Sequence, residues 1–329
     1  MTGAQRMDLQ GKDGGGRLAA VTGITGFIGS HLAGELARRG WRLRVLVRQM
    51  PRLQGPAGPP LEVVPGSLSD PQALGDLVTG ADAIVHMAGA IKGRNRDDFL
   101  RANAEGTAAL AGAWRAQAPE ARFLYLSSMA AREPGLSHYA ASKHAAEERL
   151  QTIGAGADWC ILRPAVVYGP GDRETLRVFR AASAPVQPML NGADARLTLI
   201  HVTDLVRAMA AMLVAARPPG CHEVTDARHE GYTWDELARA AASALGRTAR
   251  PLRVPASVVR ALGLVGDVAA LGGARGMLTS QKTREVLHRD WRSDPVSQPP
   301  ASQWRPEITL DQGFAEAVAW YRAAGWLRR

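Results

Sequence analysis

The 329-residue sequence predicts an α/β fold: an open, doubly wound parallel sheet followed by a smaller α/β part. Three observations carry that expectation. Apolar strand-like runs alternate with helix-like runs through the first half, as parallel βαβ units require. A glycine-punctuated turn, Thr22-Gly23-Ile24-Thr25-Gly26-Phe27-Ile28-Gly29, joins the first strand to the first helix. Past residue 165 the alternation weakens, and clusters such as Gly169-Pro170-Gly171 and Pro218-Pro219-Gly220 separate shorter elements.

Residues 1–16 are polar and Gly-rich, without the apolar core of a signal peptide, and read as a disordered leader. Strands are expected at Leu18–Thr22, Leu43–Val47, Leu61–Val64, Ala83–Met87, Phe123–Leu126 and Trp159–Leu162. Helices are expected between them at Ser30–Arg39, Pro71–Leu77, Asp97–Ala116 and His138–Ile153. Together these make a dinucleotide-binding domain over 17–165. Residues 166–329 form mainly a substrate-binding part, with some segments returning to the first domain. In that part Tyr232–Leu245 is an amphipathic helix with Thr233 as its N-cap, and Leu310–Trp326 is another. Val254–Met277 is apolar and Gly-broken; it reads as a buried cap over an apolar substrate rather than a membrane-seeking helix.

An apolar fraction of 46% with 22% charged residues is a globular composition. No apolar run approaches the length of a membrane span, so no integral membrane segment is expected. Cys160 and Cys221 offer neither a disulfide framework nor a metal-ligand spacing, which points to a reducing, cytoplasmic home and no metal. The formal charge of +9 comes from scattered Arg without a dense basic run, so no nucleic-acid partner is expected. The expected partner is a small-molecule substrate, with a homodimer left open.

The glycine turn has the strand–turn–helix context of a dinucleotide site. Gly23 allows the tight turn, Gly26 lets backbone approach a pyrophosphate, and Gly29 lets the helix pack on its strand. Open N–H groups at the helix start attract phosphate. Tyr139 and Lys143 lie four apart in a helix-like run, hence on one face. An ammonium beside a phenol lowers the phenol pKa, and such a phenol can pass a proton to a carbonyl. Ser127 and Ser128 stand at the carboxyl end of the Phe123–Leu126 strand, where serine also serves as a plain cap.

With those residues in order, the chain resembles the extended branch of the short-chain dehydrogenase/reductase superfamily, the NAD-dependent epimerase/dehydratase type. The resemblance runs from residue 18 to the C-terminus. It rests on the Thr22–Gly29 turn, His86-Met87-Ala88-Gly89, Asn103 with Gly106-Thr107, Ser127-Ser128, Tyr139 and Lys143, and Arg163 to Gly171. Thr198–Asp204 and Trp304-Arg305-Pro306 extend it. It implies a Rossmann-type fold. It also implies Tyr139 as general acid/base, Lys143 as its tuner and ribose anchor, Ser128 as donor to the substrate oxygen, and Asn103 as support for Lys143 through a water. The implied cofactor contacts are Gly23, Thr25, Gly26, Phe27, Ile28, Gly29, Ser67, Leu68, Met87, Ala88, Gly89, Ser127, Tyr139, Lys143, Pro164, Val166 and Val167. Two departures stand out: Gly66-Ser67-Leu68 replaces a frequent Asp, and only ten residues separate Ser128 from Tyr139, fewer than in most sugar-nucleotide members.

NAD-specific sites place an acid at the end of the second strand to bond the ribose hydroxyls. Here that strand ends Arg44-Val45-Leu46-Val47-Arg48, without one. Arg48 resembles the phosphate-binding arginine of dihydroflavonol-reductase-like members, with Arg52 assisting. NADP(H) is therefore favoured and NAD(H) left open. The expected activity is hydride transfer between NADP(H) and a secondary alcohol or its ketone. Two alternatives remain: a nucleotide-sugar epimerase or dehydratase holding NAD, with Arg196 on the diphosphate, and a non-catalytic NADP(H)-binding module.

Overall fold

The computed structural model describes residues 16–48, 61–184, 186–190, 192, 194–215, 220–271 and 278–327. Most of the leader expected at 1–16, and Arg52, lie outside the described residues. Six strands fall within two residues of expectation: β1 (Leu18–Thr22), β2 (Arg42–Val47), β3 (Leu61–Pro65), β4 (Ala83–His86), β5 (Arg122–Leu126) and β6 (Trp159–Pro164). The intervening helices are α1 (Phe27–Arg38), α2 (Pro71–Val78), α3 (Arg96–Phe99), α4 (Gly106–Gln117) and α5 (His138–Ile153). The single helix expected over Asp97–Ala116 is divided: a π-helical stretch, Leu100–Glu105, separates α3 from α4.

The second half runs β7 (Val166–Tyr168), α6 (Leu176–Ala182), β8 (Gln187–Met189), β9 (Arg196–Leu197), β10 (Leu199–His201), α7 (Val202–Met212) and β11 (Gly220–Val224). It continues through β12 (Tyr232–Thr233), α8 (Trp234–Ala244), β13 (Pro251–Arg253), α9 (Ala256–Leu271), α10 (Ser280–Leu287), β14 (Asp290–Trp291) and α11 (Leu310–Ala323). Thr233 does cap α8, in a reciprocal capping box with Glu236.

The main sheet has the order β11-β6-β5-β4-β1-β2-β3, with every pairing parallel. Strand order reverses between β1 and β4, which opens a crevice at their carboxyl ends. Both faces of the sheet are covered, so its inner strands read as continuous apolar runs. On one face Leu32 and Leu36 of α1 pack with Leu205 and Met209 of α7. On the other, Leu74 and Leu77 of α2 join Trp114 of α4 and Leu150 of α5. The edge strand β11 was not expected, because His222 and Glu223 break its apolar run; β6 recruits it from the second half of the chain. A third core, with Phe179, Leu237, Phe314 and Tyr321, holds the C-terminal part.

A buried polar tie holds the strand ends together. Ala88 N–H donates to Thr22 Oγ1 (3.2 Å), which lies 2.6 Å from His86 Nδ1. His86 Nε2 lies 3.0 Å from Thr107 Oγ1, whose hydroxyl donates to the Asn103 carbonyl (2.6 Å). Since Thr107 has committed its proton to Asn103, His86 must donate from Nε2 and accept at Nδ1 from Thr22. Burial, reinforced by Lys143, pushes the His86 pKa down to about 3 from its ordinary 6.5, so the ring is neutral.

The linkage follows from that depression. As pH falls below 6.5 the unfolded chain takes up this proton first, and the fold loses stability until about pH 3, where both states are protonated. Urea titrations should therefore show stability falling through that window, His86 contributing a slope of up to about 1.4 kcal/mol per pH unit. His86→Gln should flatten the slope; an unchanged slope would show that the ring is not buried neutral.

Candidate active site

The carboxyl ends of β1, β2, β4, β5 and β6 converge on the crevice, and the loops that leave them carry most of the expected site residues. After β1, Gly23 adopts φ +81°, and a Cβ there would meet Ala88 N at 2.7 Å and Met87 C at 2.8 Å. A Cβ on Gly29 would lie 2.3 Å from the Gly23 carbonyl oxygen. Both positions therefore require glycine for close packing of the turn. Gly26 faces the open side and N-caps α1 without a side-chain cap bond, and no acid stands in the helix's first turn. The Gly26 N–H is taken by the Gly23 carbonyl (3.1 Å), so beside Thr25 it is Phe27, Ile28 and Gly29 that present the first-turn N–H groups and a helix dipole suited to a pyrophosphate.

Met87, Ala88 and Gly89 leave β4 beside this turn. Gly89 has its own reason to lack a side chain: a Cβ would lie 2.6 Å from Asn103 Oδ1. Asn103, buried in the π-helical stretch, accepts from Ala90 N–H (2.7 Å) and donates to the Ala90 carbonyl (3.1 Å) and to Ser142 Oγ (2.8 Å). Ser142 Oγ in turn donates to the Tyr139 carbonyl (2.8 Å). The amide of Asn103 is thus engaged with backbone and Ser142 and makes no direct bond to Lys143. Ser67 and Leu68 follow β3; the Ser67 and Ser69 hydroxyls lie 2.9 Å apart, and Leu68 packs against Gly106. Arg48 is exposed directly after β2. Pro164, Val166 and Val167 span the step from β6 to β7.

Ser128 stands close enough to Tyr139 for its hydroxyl to favour the phenolate. Ser128 Oγ also accepts from Ala130 N–H (3.2 Å), so it caps the short turn Met129–Arg132 as well. Lys143, one turn beyond Tyr139, is buried, donates to the Leu126 carbonyl (2.7 Å) and sits 4.4 Å from the centre of the Tyr125 ring. Burial pushes its pKa down to about 7, against an upward pull from Glu147. The expected lowering of the phenol is reversed. Burial pushes Tyr139 up to about 12, Glu285 adds to the rise, and the neighbouring Ser128 hydroxyl only partly offsets it. The physical reason is desolvation of the phenolate, with the Lys143 ammonium turned to Leu126.

Two functional neighbours went unread in the sequence. Glu147, a further turn along α5, is buried and accepts from Arg163 Nε (3.0 Å) and from the Ser127 hydroxyl. Ser127 therefore faces this ion pair rather than the crevice. The i, i+4, i+8 spacing of Tyr139, Lys143 and Glu147 was the available signal. Glu285 of α10 accepts from the Ser137 hydroxyl at the start of α5. Arg196 stands apart: its guanidinium lies 3.7 Å from Glu236, and none of its described contacts reaches Ser128 or Tyr139.

A family model for the NAD dependent epimerase/dehydratase family matches residues 19–224. The chain belongs to that family. It is accordingly an enzyme of the NAD(P)-dependent dehydrogenase, reductase and epimerase kind. It is 43% identical over 314 residues to a ceramide reductase of Caulobacter vibrioides, covering 94% of this chain and 96% of that protein. It is 30% identical over 274 residues to a 3 beta-hydroxysteroid dehydrogenase/Delta 5-->4-isomerase of Mycobacterium tuberculosis, covering 73% and 72% of the two. The crystal structure of gox2253 matches with a TM-score of 0.73 at 24% identity, over 95% of this chain and 99% of that one. MoeE5 in complex with UDP-glucose and NAD matches at 0.69 and 21%, over 94% and 99%. Both structural likenesses concern the fold. Among the described residues no group of His, Cys, Asp and Glu is arranged to hold a metal, and no helix is long and apolar enough to cross a membrane.

Glu147 offers a test of the polar support beneath Lys143. Glu147→Gln leaves the Arg163 guanidinium without its partner in a largely dry site, which should cost about 3 kcal/mol of stability. Glu147→Leu with Arg163→Met should recover much of that loss. Denaturant titrations of the three proteins decide it; equal stability of wild type and Glu147→Gln would show the pair to be idle.

Proposed function

We propose that this chain is an NADP-dependent reductase acting on a ketone, or the corresponding secondary alcohol, carried on a largely apolar molecule. The observation that carries the reading is the grouping of Ser128, at the end of β5, with Tyr139 and, one turn further along α5, a buried Lys143 that donates to the Leu126 carbonyl. The dinucleotide's shape suits what the chain offers: a glycine turn that a Cβ would block, an uncapped helix start, and open strand ends on both sides of the switch point. Gly23 to Gly29, Met87, Ala88, Ser67, Leu68, Pro164, Val166 and Val167 would hold it, and when bound it supplies or accepts the hydride.

The chain's own groups do the rest. Ser128 presents a hydroxyl to the substrate oxygen beside Tyr139. Tyr139, held up to about 12, keeps its proton at neutral pH and is ready to donate it to a developing alkoxide. That proton state favours the reductive direction. Lys143 offers its remaining donors to the ribose, and Asn103 fixes α5 through Ser142. Arg48, exposed beyond β2 with no acid beside it, would pair with a 2′-phosphate. The near full-length likeness to a ceramide reductase supports a lipid-like carbonyl substrate. Its two free thiols, Cys160 and Cys221, and its use of NADPH suit the cytoplasm.

Tyr139→Phe keeps the ring and removes the proton donor. Ketone reduction with NADPH should fall by about 10²-fold or more, with nucleotide affinity nearly kept. Unchanged turnover would remove Tyr139 from the chemistry. The assay is a panel of long-chain and short-chain ketones, with the wild type and variant read side by side.

Arg48→Ala tests the cofactor. One charge-assisted contact is worth about 1.5–3 kcal/mol, or about one to two powers of ten in affinity. NADPH should weaken by that factor while NADH hardly changes. Equal losses for both nucleotides, or a wild type that prefers NADH, would overturn the NADP assignment and favour an NAD-retaining epimerase.

A further inference from the structure

Helix α9 is inside out. The sequence suggested a buried cap, yet Val258, Leu262, Leu264, Val265 and Val268 are 46–70% exposed. The side turned to the protein carries Val259, Gly263 and Gly266 instead. A Cβ on Gly263 would lie 2.6 Å from Thr283 Oγ1, and one on Gly266 2.0 Å from the Leu278 carbonyl oxygen. The glycines thus let α9 lie tight against α10 and the segment before it, while Asp267 Oδ1 accepts from Ser280 N–H at 3.1 Å. Space for large side chains was removed from the packed face and given to the outer one. At 100° per residue, 258, 262, 265 and 268 fall on one stripe. A continuous outward stripe of this kind marks an interaction surface rather than scattered exposure.

The charge around it selects the partner. Between Arg247 and Arg289 the chain has eight basic residues and two acidic ones, an excess of six within a protein whose net charge is +9. The Arg scatter noted in the sequence therefore conceals one strongly cationic segment. Arg253 pairs with Asp235 and Lys282 with Glu285 (2.9 Å each), while Arg247, Arg250, Arg260, Arg284 and Arg289 are exposed and can face a headgroup. A second copy of the same face would set one cationic excess against another, which like-charge repulsion opposes. An anionic bilayer satisfies both features, taking the apolar stripe into the acyl boundary and the guanidinium groups against its headgroups.

We infer that α9 and its cationic flanks form a docking surface for an anionic lipid bilayer. The surface is coupled to the catalytic helix. Gln281 Oε1 of α10 accepts from His138 N–H (2.8 Å), and Glu285 accepts from Ser137, the two residues just before Tyr139. Docking sets the α9–α10 pair, and with it the start of α5 just before Tyr139, against the membrane from which an apolar ketone would enter. The docking itself does not depend on the reductase reading.

Vesicle flotation without nucleotide or ketone tests it. Wild type should partition onto vesicles of phosphatidylglycerol and phosphatidylethanolamine at least tenfold better than onto phosphatidylcholine alone, and less at 0.5 M salt, where the Debye length is about half its value at 0.1 M. Leu262→Glu with Val265→Glu should lower partitioning at least tenfold while leaving the thermal midpoint and NADPH binding as in wild type. Arg260→Glu, a surface change, should weaken it by a smaller factor. Wild type that stays free of anionic vesicles, or a double variant that binds them unchanged, overturns the inference. So does light scattering that finds a wild-type dimer which the double variant converts to monomer. Ketone turnover measured separately tells a failed docking surface from a failed reductase assignment.

Discussion

One chain of buried hydrogen bonds ties the cofactor turn to the catalytic helix. It starts at Ala88 N–H, passes through Thr22, His86 and Thr107, and reaches the Asn103 carbonyl. From the Asn103 amide it continues to Ser142 and on to the Tyr139 carbonyl. Three of its links cross from one element to another: β1 to β4, β4 to α4, and the π-helical stretch to α5. Burial makes each unmade bond costly, so the strand ends, the Met87–Ala90 segment and α5 are held as one unit. The wider turn at Leu100–Glu105 belongs to this arrangement, since it carries Asn103 to both Ala90 and Ser142.

Electrostatics along α5 follow from how dry it is. Desolvation lowers Lys143 and raises Tyr139, moving the ammonium and the phenol toward their neutral forms together. Glu147, tied to Arg163 and Ser127, counters the loss at Lys143. Glu285 works in the opposite sense at Tyr139 and keeps its proton in place. The helix thus holds a donor phenol and a partly charged lysine, with acids on separate elements adjusting each.

The second half of the chain is not a separate appendage. β11 extends the main sheet beside β6, and α7 packs on α1, so one edge and one face of the sheet are completed by residues far along the sequence. α9 and α10 pair with each other at the surface. Their contact depends on two glycines, and the same economy of volume exposes the leucines and valines of the opposite face.

The sequence by itself determined the sheet and the catalytic helix. Apolar runs define β1 to β6, because parallel strands write their burial directly into residue order, and α5 was legible from His138 to Ile153 as a run free of Gly and Pro between Ser137 and Gly154. The glycine turn and the Ser128, Tyr139 and Lys143 set were legible for the same reason: each depends on local spacing. Only tertiary structure decided the rest. That Ser127 faces Glu147, that Arg196 is engaged by Glu236, and that Asn103 bonds Ser142 depend on partners 20 to 40 residues away. The direction of the Tyr139 shift was likewise unreadable, since it reflects how much water the fold excludes. The outward face of α9 escaped for a related reason: apolar periodicity tells which residues share a side, while packing against α10 decides which side is out.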